Sequence, residues 1–149
     1  MTTTPSDPNS TAIWLALAFV RLRARLREEA SARDFGLSLS QISILQRLHS
    51  EGPATAAALS VAEHVSQQAI AQGLANLKAE GLIESQPDPN DGRKTLISLS
   101  GAGSELRRSV FASRGSWLAR AIESSADAEE LATLNAAVEI IERLAESDC

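Results

Sequence analysis

The chain has 149 residues, of which 44% are apolar and 22% charged, so it is long enough for one globular domain with a substantial core. Its net charge of −5 excludes a broad basic surface for nucleic acid. One cysteine, Cys149, excludes a disulfide framework within the chain, and with only two histidines a dedicated metal site or metal cofactor is not expected.

The longest apolar run, residues 12–20, is far shorter than the roughly 20 residues that cross a bilayer. No basic residue precedes this run, and it is followed by arginines instead of a small-residue cleavage site, which argues against a signal peptide. We therefore expect a cytoplasmic protein without a membrane partner.

The N-terminal segment predicts a tail followed by a long helix. Residues 1–10 are mostly Thr, Ser, Pro, Asn and Asp, a composition typical of disorder. From about residue 11 to residue 33 apolar residues recur at spacings of four, three and four, which predicts one apolar helix face. That face carries Leu15, Phe19, Leu22 and Leu26.

Three shorter helices follow. Ser38 and Gln41 have the spacing of a capping box and predict the start of a helix that ends near His49. Gly52 and Pro53 break the chain, and an alanine-rich helix is expected over about 55–62. Ser66 is a favourable N-cap for a third helix, over 67–80.

The helix over 67–80 has the most informative pattern. Ile70, Leu74 and Leu77 form its expected buried stripe, and Gly81 is suited to end it in a left-handed conformation. The opposite face is rich in amide side chains, which can donate to and accept from the edge of adenine. The alternative is a solvated polar face. The polar residues concerned are Ser66, Gln67, Gln68, Gln72 and Asn76.

Two strand-like runs, 82–86 and 94–99, flank a segment dense in turn residues and predict a hairpin with a projecting tip. Arg93 and Lys94 are the cations of this tip, and Asp91 lies two residues before Arg93. A guanidinium gains from the negative potential of a narrow minor groove, and a neighbouring carboxylate can orient it. A surface ion pair closing the turn is the alternative.

The C-terminal third predicts two more helices. Ser100 is the expected cap of a long helix over about 101–124. Asp127 and Glu130 resemble a second capping box, and the helix that they open carries its apolar residues on one face. These residues are Leu131, Leu134, Val138 and Ile141.

This order of elements is mainly α with a small β-hairpin wing, which is the winged helix-turn-helix arrangement. The segment 39–106 resembles the multiple antibiotic resistance regulator (MarR) family. The pieces that carry the resemblance are Leu39-Ser-Gln-Ile-x-Ile-Leu45, Val65-Ser66, Leu77-Lys-x-Glu-Gly-Leu-Ile83, Asp88-Pro-Asn-Asp-Gly-Arg-Lys94 and Leu99-Ser-x-x-Gly103. The wing pattern D-x-R with a second base, followed by L-[ST]-x-x-G, is its most specific part.

The resemblance implies a homodimeric transcriptional regulator, commonly a repressor, that binds a pseudo-palindromic duplex. It implies a single unit over 11–149, with dimerisation helices at about 11–36 and 101–149 and a DNA-binding region at about 37–100. The two apolar helix faces agree, because a small winged domain cannot cover them.

Family roles carry over to individual residues. Arg93, supported by Asp91, becomes the wing arginine, and Ser66, Gln67, Gln68 and Gln72 become major-groove readers. Ser40 and Thr55, near helix N-termini, are expected to face phosphates. Family members often release DNA on binding a small aromatic or phenolic effector. For such a pocket the candidates here are Phe35, His49 and Phe111, each of which is more often a core residue.

Two features of this sequence depart from the usual pattern of the family. Glu63 occupies a position where the family usually has a buried apolar residue, so we expect the turn to pack differently there. The recognition helix holds no arginine, and its only basic residue, Lys78, is near its far end, which predicts a shallow salt dependence and modest affinity of DNA binding. Between Ser40 and Ser100 four basic residues stand against six acidic ones, a balance of −2. The acidic balance also keeps open a winged-helix module that binds protein instead of DNA. Common catalytic motifs are missing, so an enzyme is not expected.

Overall fold

The computed structural model describes residues 7–29, 36–113 and 116–148. Within these ranges the chain forms helices and one two-stranded hairpin, as expected from the sequence. The elements in chain order are α1 (Pro8–Glu29), α2 (Leu39–Glu51), α3 (Ala56–Ala62), α4 (Gln67–Ala79), β1 (Ile83–Pro87), β2 (Thr95–Leu99), α5 (Gly101–Ala112), α6 (Trp117–Ser125) and α7 (Ala128–Ala145). No helix of the described ranges has the length and apolar content that a membrane span needs.

The chain divides into two compact units. The winged unit contains α2 to α5 with the hairpin, and its described residues are 36–113. The helical unit contains α1, α6 and α7, with described residues 7–29 and 116–148. Helix α5 therefore packs with the winged unit, while its expected part in dimerisation stays a prediction. The reason is packing: Leu106 lies against the winged core, and Arg107 Nε donates to Gln46 Oε1 of α2 at 2.7 Å.

The winged unit has its own hydrophobic core. Helices α2, α3 and α4 each direct their apolar positions inward, and the start of the hairpin closes over them. Burial of these side chains is the main stabilising contribution to the unit. The buried apolar residues are Ile44, Leu45, Leu48, Leu59, Ile70, Leu74, Leu77, Leu82, Ile83 and Ile97.

The hairpin is antiparallel, with a register that runs from Ile83 opposite Leu99 to Pro87 opposite Thr95. Only Ile83, at the base of the hairpin, and Ile97, at the middle of β2, are buried. Ala54 pairs with Ile97 through both backbone hydrogen bonds, at 3.0 and 2.8 Å. The middle of the wing is therefore fixed to the segment between α2 and α3, while its tip projects.

The helical unit is built differently. Helix α1 contacts α6, and the guanidinium of Arg25 lies 5.2 Å from the ring centroid of Trp117. None of the described residues of α1, α6 and α7 is buried. Of the apolar face predicted on α1, Leu15 and Leu26 are half-buried, whereas Phe19 and Leu22 are exposed.

Two predicted boundaries were wrong. Helix α1 begins at Pro8 instead of about residue 11, because the Asp7 carboxylate accepts from Ser10 N at 3.0 Å and proline is favoured in a first turn. The single helix over 101–124 is two helices, α5 and α6. Ser113 has an extended backbone, and Ser116 starts a new helix by accepting from Ala119 N at 3.1 Å.

Candidate nucleic-acid interface

One face of helix α4 is polar and exposed, and the opposite face is apolar and packed against the core. Ser66 is its N-cap and accepts from Ala69 N at 3.1 Å. Ile70, Leu74 and Leu77 are buried, as the sequence predicted. A Cβ added at Gly73 would lie 3.6 Å from Ile44 Cδ1, so α4 packs closely on α2. The five polar residues proposed as readers, Ser66, Gln67, Gln68, Gln72 and Asn76, are all exposed.

The C-terminal end of α4 connects directly to the wing. Gly81 has a φ of +71°, and Leu82 N donates to Leu77 O at 3.0 Å, the six-to-one bond of a Schellman ending. Ser100, at the far end of the hairpin, donates from Oγ to Gly81 O at 2.6 Å. The same Oγ accepts from Gly103 N at 3.0 Å. One serine thus joins the end of α4, the wing and the start of α5.

Gly103 is required at this junction by sterics. A Cβ there would lie 2.0 Å from the carbonyl oxygen of Leu82, closer than any real contact allows. The L-S-x-x-G pattern was recognised in the sequence, but its role in locking the wing to α5 depends on this contact. Only the fold brings residues 82 and 103 together.

The wing tip holds one highly exposed arginine. The Arg93 side chain is 93% exposed, and its Nε donates to Asp91 Oδ1 at 3.3 Å. The same carboxylate oxygen accepts from Arg93 N at 3.1 Å. Lys94 is exposed beside it, and its backbone is held by hydrogen bonds to Asp91 and Asp88 at 2.9 Å each. The tip orients the Arg93 side chain without covering it.

The two residues proposed to face phosphates differ in their place at the start of a helix. Thr55 is the N-cap of α3 and accepts from Ala58 N at 3.1 Å. Ser40 is exposed in the first turn of α2, but the cap of that helix is Ser38. Ser38 and Gln41 form the predicted capping box, with both reciprocal hydrogen bonds present.

Of the proposed effector residues, Phe35 lies outside the described residues. His49 is exposed near the end of α2. Phe111 in α5 is exposed as well, with the Arg107 guanidinium 5.0 Å from its ring centroid. Neither described residue is a core residue.

Sequence reasoning missed one group of side chains close to the interface. Arg47 of α2 donates to Glu63, at the C-terminal end of α3, at 2.6 Å, and Ser43 donates to the same carboxylate at 2.7 Å. The sequence did indicate that residue 63 is unusual, because Glu63 stands where the family usually has an apolar residue. The pattern did not show its partner, because 16 residues separate the pair.

Residues 35–94, which include α2 to α4 and most of the wing, match the MarR family. A Mycobacterium bovis protein described as an uncharacterized HTH-type transcriptional regulator is 37% identical over 121 residues, covering 81% of this chain and 77% of that protein. The chain belongs to the MarR family. Its function is that of a DNA-binding transcriptional regulator.

Two further similarities bear on the interface. The HTH-type transcriptional repressor NicR of Pseudomonas putida is 34% identical over 92 residues, covering 62% of this chain and 57% of NicR. A cysteine-to-serine variant of E. coli MarR, solved in complex with operator DNA, aligns with a TM-score of 0.65 at 24% identity, covering 91% of this chain and 99% of that one. At this identity the structural similarity establishes the fold.

Proposed function

We propose that two copies of this chain bind a pseudo-palindromic DNA duplex, each placing α4 in the major groove and the tip of its wing in the adjacent minor groove. The observation that carries the proposal is the pairing of an exposed amide face on α4 with an exposed, oriented arginine at the wing tip. Two-fold symmetry then predicts half-sites about 10 base pairs apart, centre to centre.

In this arrangement Gln67, Gln68 and Gln72 read base edges, with Ser66 at the start of the helix and Asn76 one turn further. Amide side chains pair well with adenine, since one amide both donates and accepts at its major-groove edge. The exposed small residues Ala71 and Ala75 between them allow the helix backbone to approach the groove floor.

Arg93 supplies the second contact. A guanidinium in a narrow minor groove gains from the concentrated negative potential there. Asp91 fixes the direction of the side chain before binding, so less conformational entropy is lost on contact. Lys94, Thr55 and Ser40 are proposed to contact the phosphates that flank the two grooves.

The electrostatic part of the affinity is limited by the number of exposed cations near the proposed interface. Arg47 is partly buried against Glu63, so the exposed cations of the segment 40–100 are Lys78, Arg93 and Lys94. If each subunit used all three, the dimer would neutralise six phosphates. The slope of log K against log salt would then be roughly −5, shallow for a dimeric regulator.

The helical unit is proposed to form the dimer. Five of the residues expected from the sequence are exposed, namely Phe19, Leu22, Leu131, Leu134 and Val138, whereas Leu15, Leu26 and Ile141 are half-buried. Helices α6 and α7 border an open groove of about 540 Å³ lined in part by Ala121, Ile122 and Leu134. A second copy is the occupant that two-fold DNA recognition requires. The proposed interface residues are Leu15, Phe19, Leu22, Leu26, Leu131, Leu134, Val138 and Ile141.

Repression is the proposed mode of regulation, supported by the similarity to a relative named as a repressor. Release by a small aromatic or phenolic effector is proposed as well, with Phe35, His49 and Phe111 as contact candidates. Its support is the exposed Phe111 ring beside the Arg107 guanidinium, a pairing suited to an aromatic anion.

The test is fluorescence anisotropy on a labelled duplex selected by the wild-type protein from a random-sequence pool. Arg93→Ala is expected to weaken binding at least 30-fold, on the order of the 1–3 kcal/mol of a good groove contact. Arg108→Ala is the matched control, because Arg108 is also an exposed arginine paired with an acid of its own element, Glu105, at 2.9 Å. Equal effects of the two variants would contradict the wing contact, and failure of the selection to enrich any sequence would contradict sequence-specific binding.

A further inference from the structure

A shielded ion pair lies directly behind the start of the proposed recognition helix. Arg47 of α2 and Glu63 of α3 have side chains that are 24% and 11% exposed, and their Nε and Oε1 atoms are 2.6 Å apart. Long charged side chains are rarely this covered without a structural or functional reason. The pair lies outside the contacts proposed above for DNA.

Both partners are fully engaged. Glu63 Oε2 accepts from Ser43 Oγ at 2.7 Å, so each carboxylate oxygen has a donor. Arg47 Nη1 donates to Glu51 at 2.7 Å, and Nη2 donates to the backbone oxygen of Ala62 at 3.3 Å. All three guanidinium nitrogens are thus used. The hydrogen bond to Glu63 raises the pKa of Arg47 above its ordinary value, so the arginine stays charged at every accessible pH.

The network acts at the turn that leads into α4. Glu63 is the C-cap residue of α3, and Ser66, only three residues later, is the N-cap of α4. Between them His64 adopts a left-handed φ of +51°, uncommon for a residue other than glycine. Ser60 ties the far side of the turn by donating from Oγ to Val65 O at 2.8 Å. Arg47 therefore anchors one end of a four-residue connection whose other end starts the recognition helix.

Stability alone does not explain such a pair. Removing two charges from water costs about as much as their attraction returns, and well-packed apolar residues often replace a shielded pair with no loss of stability. A hydrogen-bonded pair does supply direction, because a planar guanidinium and a planar carboxylate fit in only a few orientations. An apolar contact at residue 63 would tolerate small shifts of the turn.

We propose that the Arg47–Glu63 pair is a positioning device for sequence recognition, which fixes the orientation of Gln67, Gln68 and Gln72 relative to α2. The pair contributes mainly to discrimination between the operator and other DNA, and contributes little to the stability of the fold. This inference rests on the proposed DNA-reading role of α4.

The experiment compares the double variant Arg47→Met/Glu63→Leu with the wild type. Two quantities are measured for each: the midpoint of thermal unfolding, and the ratio of Kd on scrambled duplex to Kd on the selected operator. The double variant is expected to unfold within a few degrees of the wild type while its ratio falls at least tenfold. Glu63→Gln keeps an acceptor for Arg47 and is expected to retain the ratio within threefold.

The control is Arg108→Met/Glu105→Leu, which removes an exposed ion pair of the same unit with the same change in charge. It is expected to leave both the midpoint and the ratio unchanged. A wild-type ratio in the double variant, or loss of its folded state, would overturn the positioning role. A wild type that binds operator and scrambled duplex equally would contradict the proposed function itself, so the two failures are distinguishable.

Discussion

The winged unit and the helical unit differ in where their apolar side chains lie. Ten of the described apolar residues of the winged unit are buried, and three of them, Leu45, Leu59 and Leu77, are essentially inaccessible to water. In the helical unit none of the described residues of α1, α6 and α7 reaches that level. Large apolar side chains such as Trp14, Val20 and Leu144 are more than half exposed there.

The difference indicates where each unit obtains its stability. The winged unit buries its apolar surface within one chain, so its fold is largely determined internally. The helical unit leaves many large apolar side chains exposed on its helices, and such a concentration is typical of an interface. Substitutions should therefore act on folding in one unit and on assembly in the other.

The largest expected effect is on assembly. Leu134→Glu places a charge in the apolar face of α7, which the proposed symmetric dimer would bury twice, and the cost of an uncompensated buried charge is several kcal/mol per site. We expect the variant to be monomeric at micromolar concentration in sedimentation experiments and to lose at least 100-fold in operator affinity.

Asn135→Glu is the control for this prediction, since it adds the same charge one residue away on the same helix. If the Leu134→Glu variant remained dimeric, the proposal that the helical unit forms the dimer interface would be wrong.

The second prediction concerns folding of the winged unit. Gly103→Ala forces a Cβ to 2.0 Å from the carbonyl oxygen of Leu82, so the wing or α5 must shift. We expect a loss of about 3 kcal/mol in the free energy of unfolding, measured with urea, at the upper end of ordinary overpacking. Gly101→Ala meets no atom within 4 Å and should change stability by about 0.5 kcal/mol or less. Similar values for the two variants would show that the junction is not rigid.

The third prediction tests the end of the recognition helix. Gly81 has a φ of +71° with open space around it, so alanine there is strained by backbone conformation alone. Gly81→Ala is expected to cost about 1 kcal/mol in the urea experiment. Because the strain is local, sedimentation should show an unchanged oligomeric state, and a change in assembly would contradict the separation of the two units.

The smallest effect has the opposite sign. Gly73 lies inside α4, and its added Cβ would make an ordinary contact of 3.6 Å with Ile44. Gly73→Ala is expected to stabilise the winged unit by about 0.5–1 kcal/mol, because alanine loses less backbone entropy in a helix. A destabilised variant would mean that α2 and α4 pack more tightly than this distance indicates.

Most of what the sequence predicted correctly depends on contacts within a few residues. The caps at Ser38, Ser66, Ser100 and Asp127 were expected, and in each the side chain accepts from a backbone amide three residues later. The inward positions of α4 follow from helical periodicity in the same way. The break between α5 and α6 was missed because the apolar spacing continues across it.

The contacts that set the geometry of the interface are not local. Arg47 and Glu63 are 16 residues apart, Ser100 and Gly81 are 19 apart, and Arg107 and Gln46 are 61 apart. No local pattern specifies such pairs, since each side chain has several polar neighbours in the sequence that it does not contact.

The sequence by itself determined the elements, their caps and the family, because these depend on short-range hydrogen bonds, periodicity and motif order. Only the tertiary structure decided that α5 belongs to the winged unit and that Glu63 anchors the turn before α4. The physical reason is that burial and ion pairing depend on which distant segments meet once the core has formed.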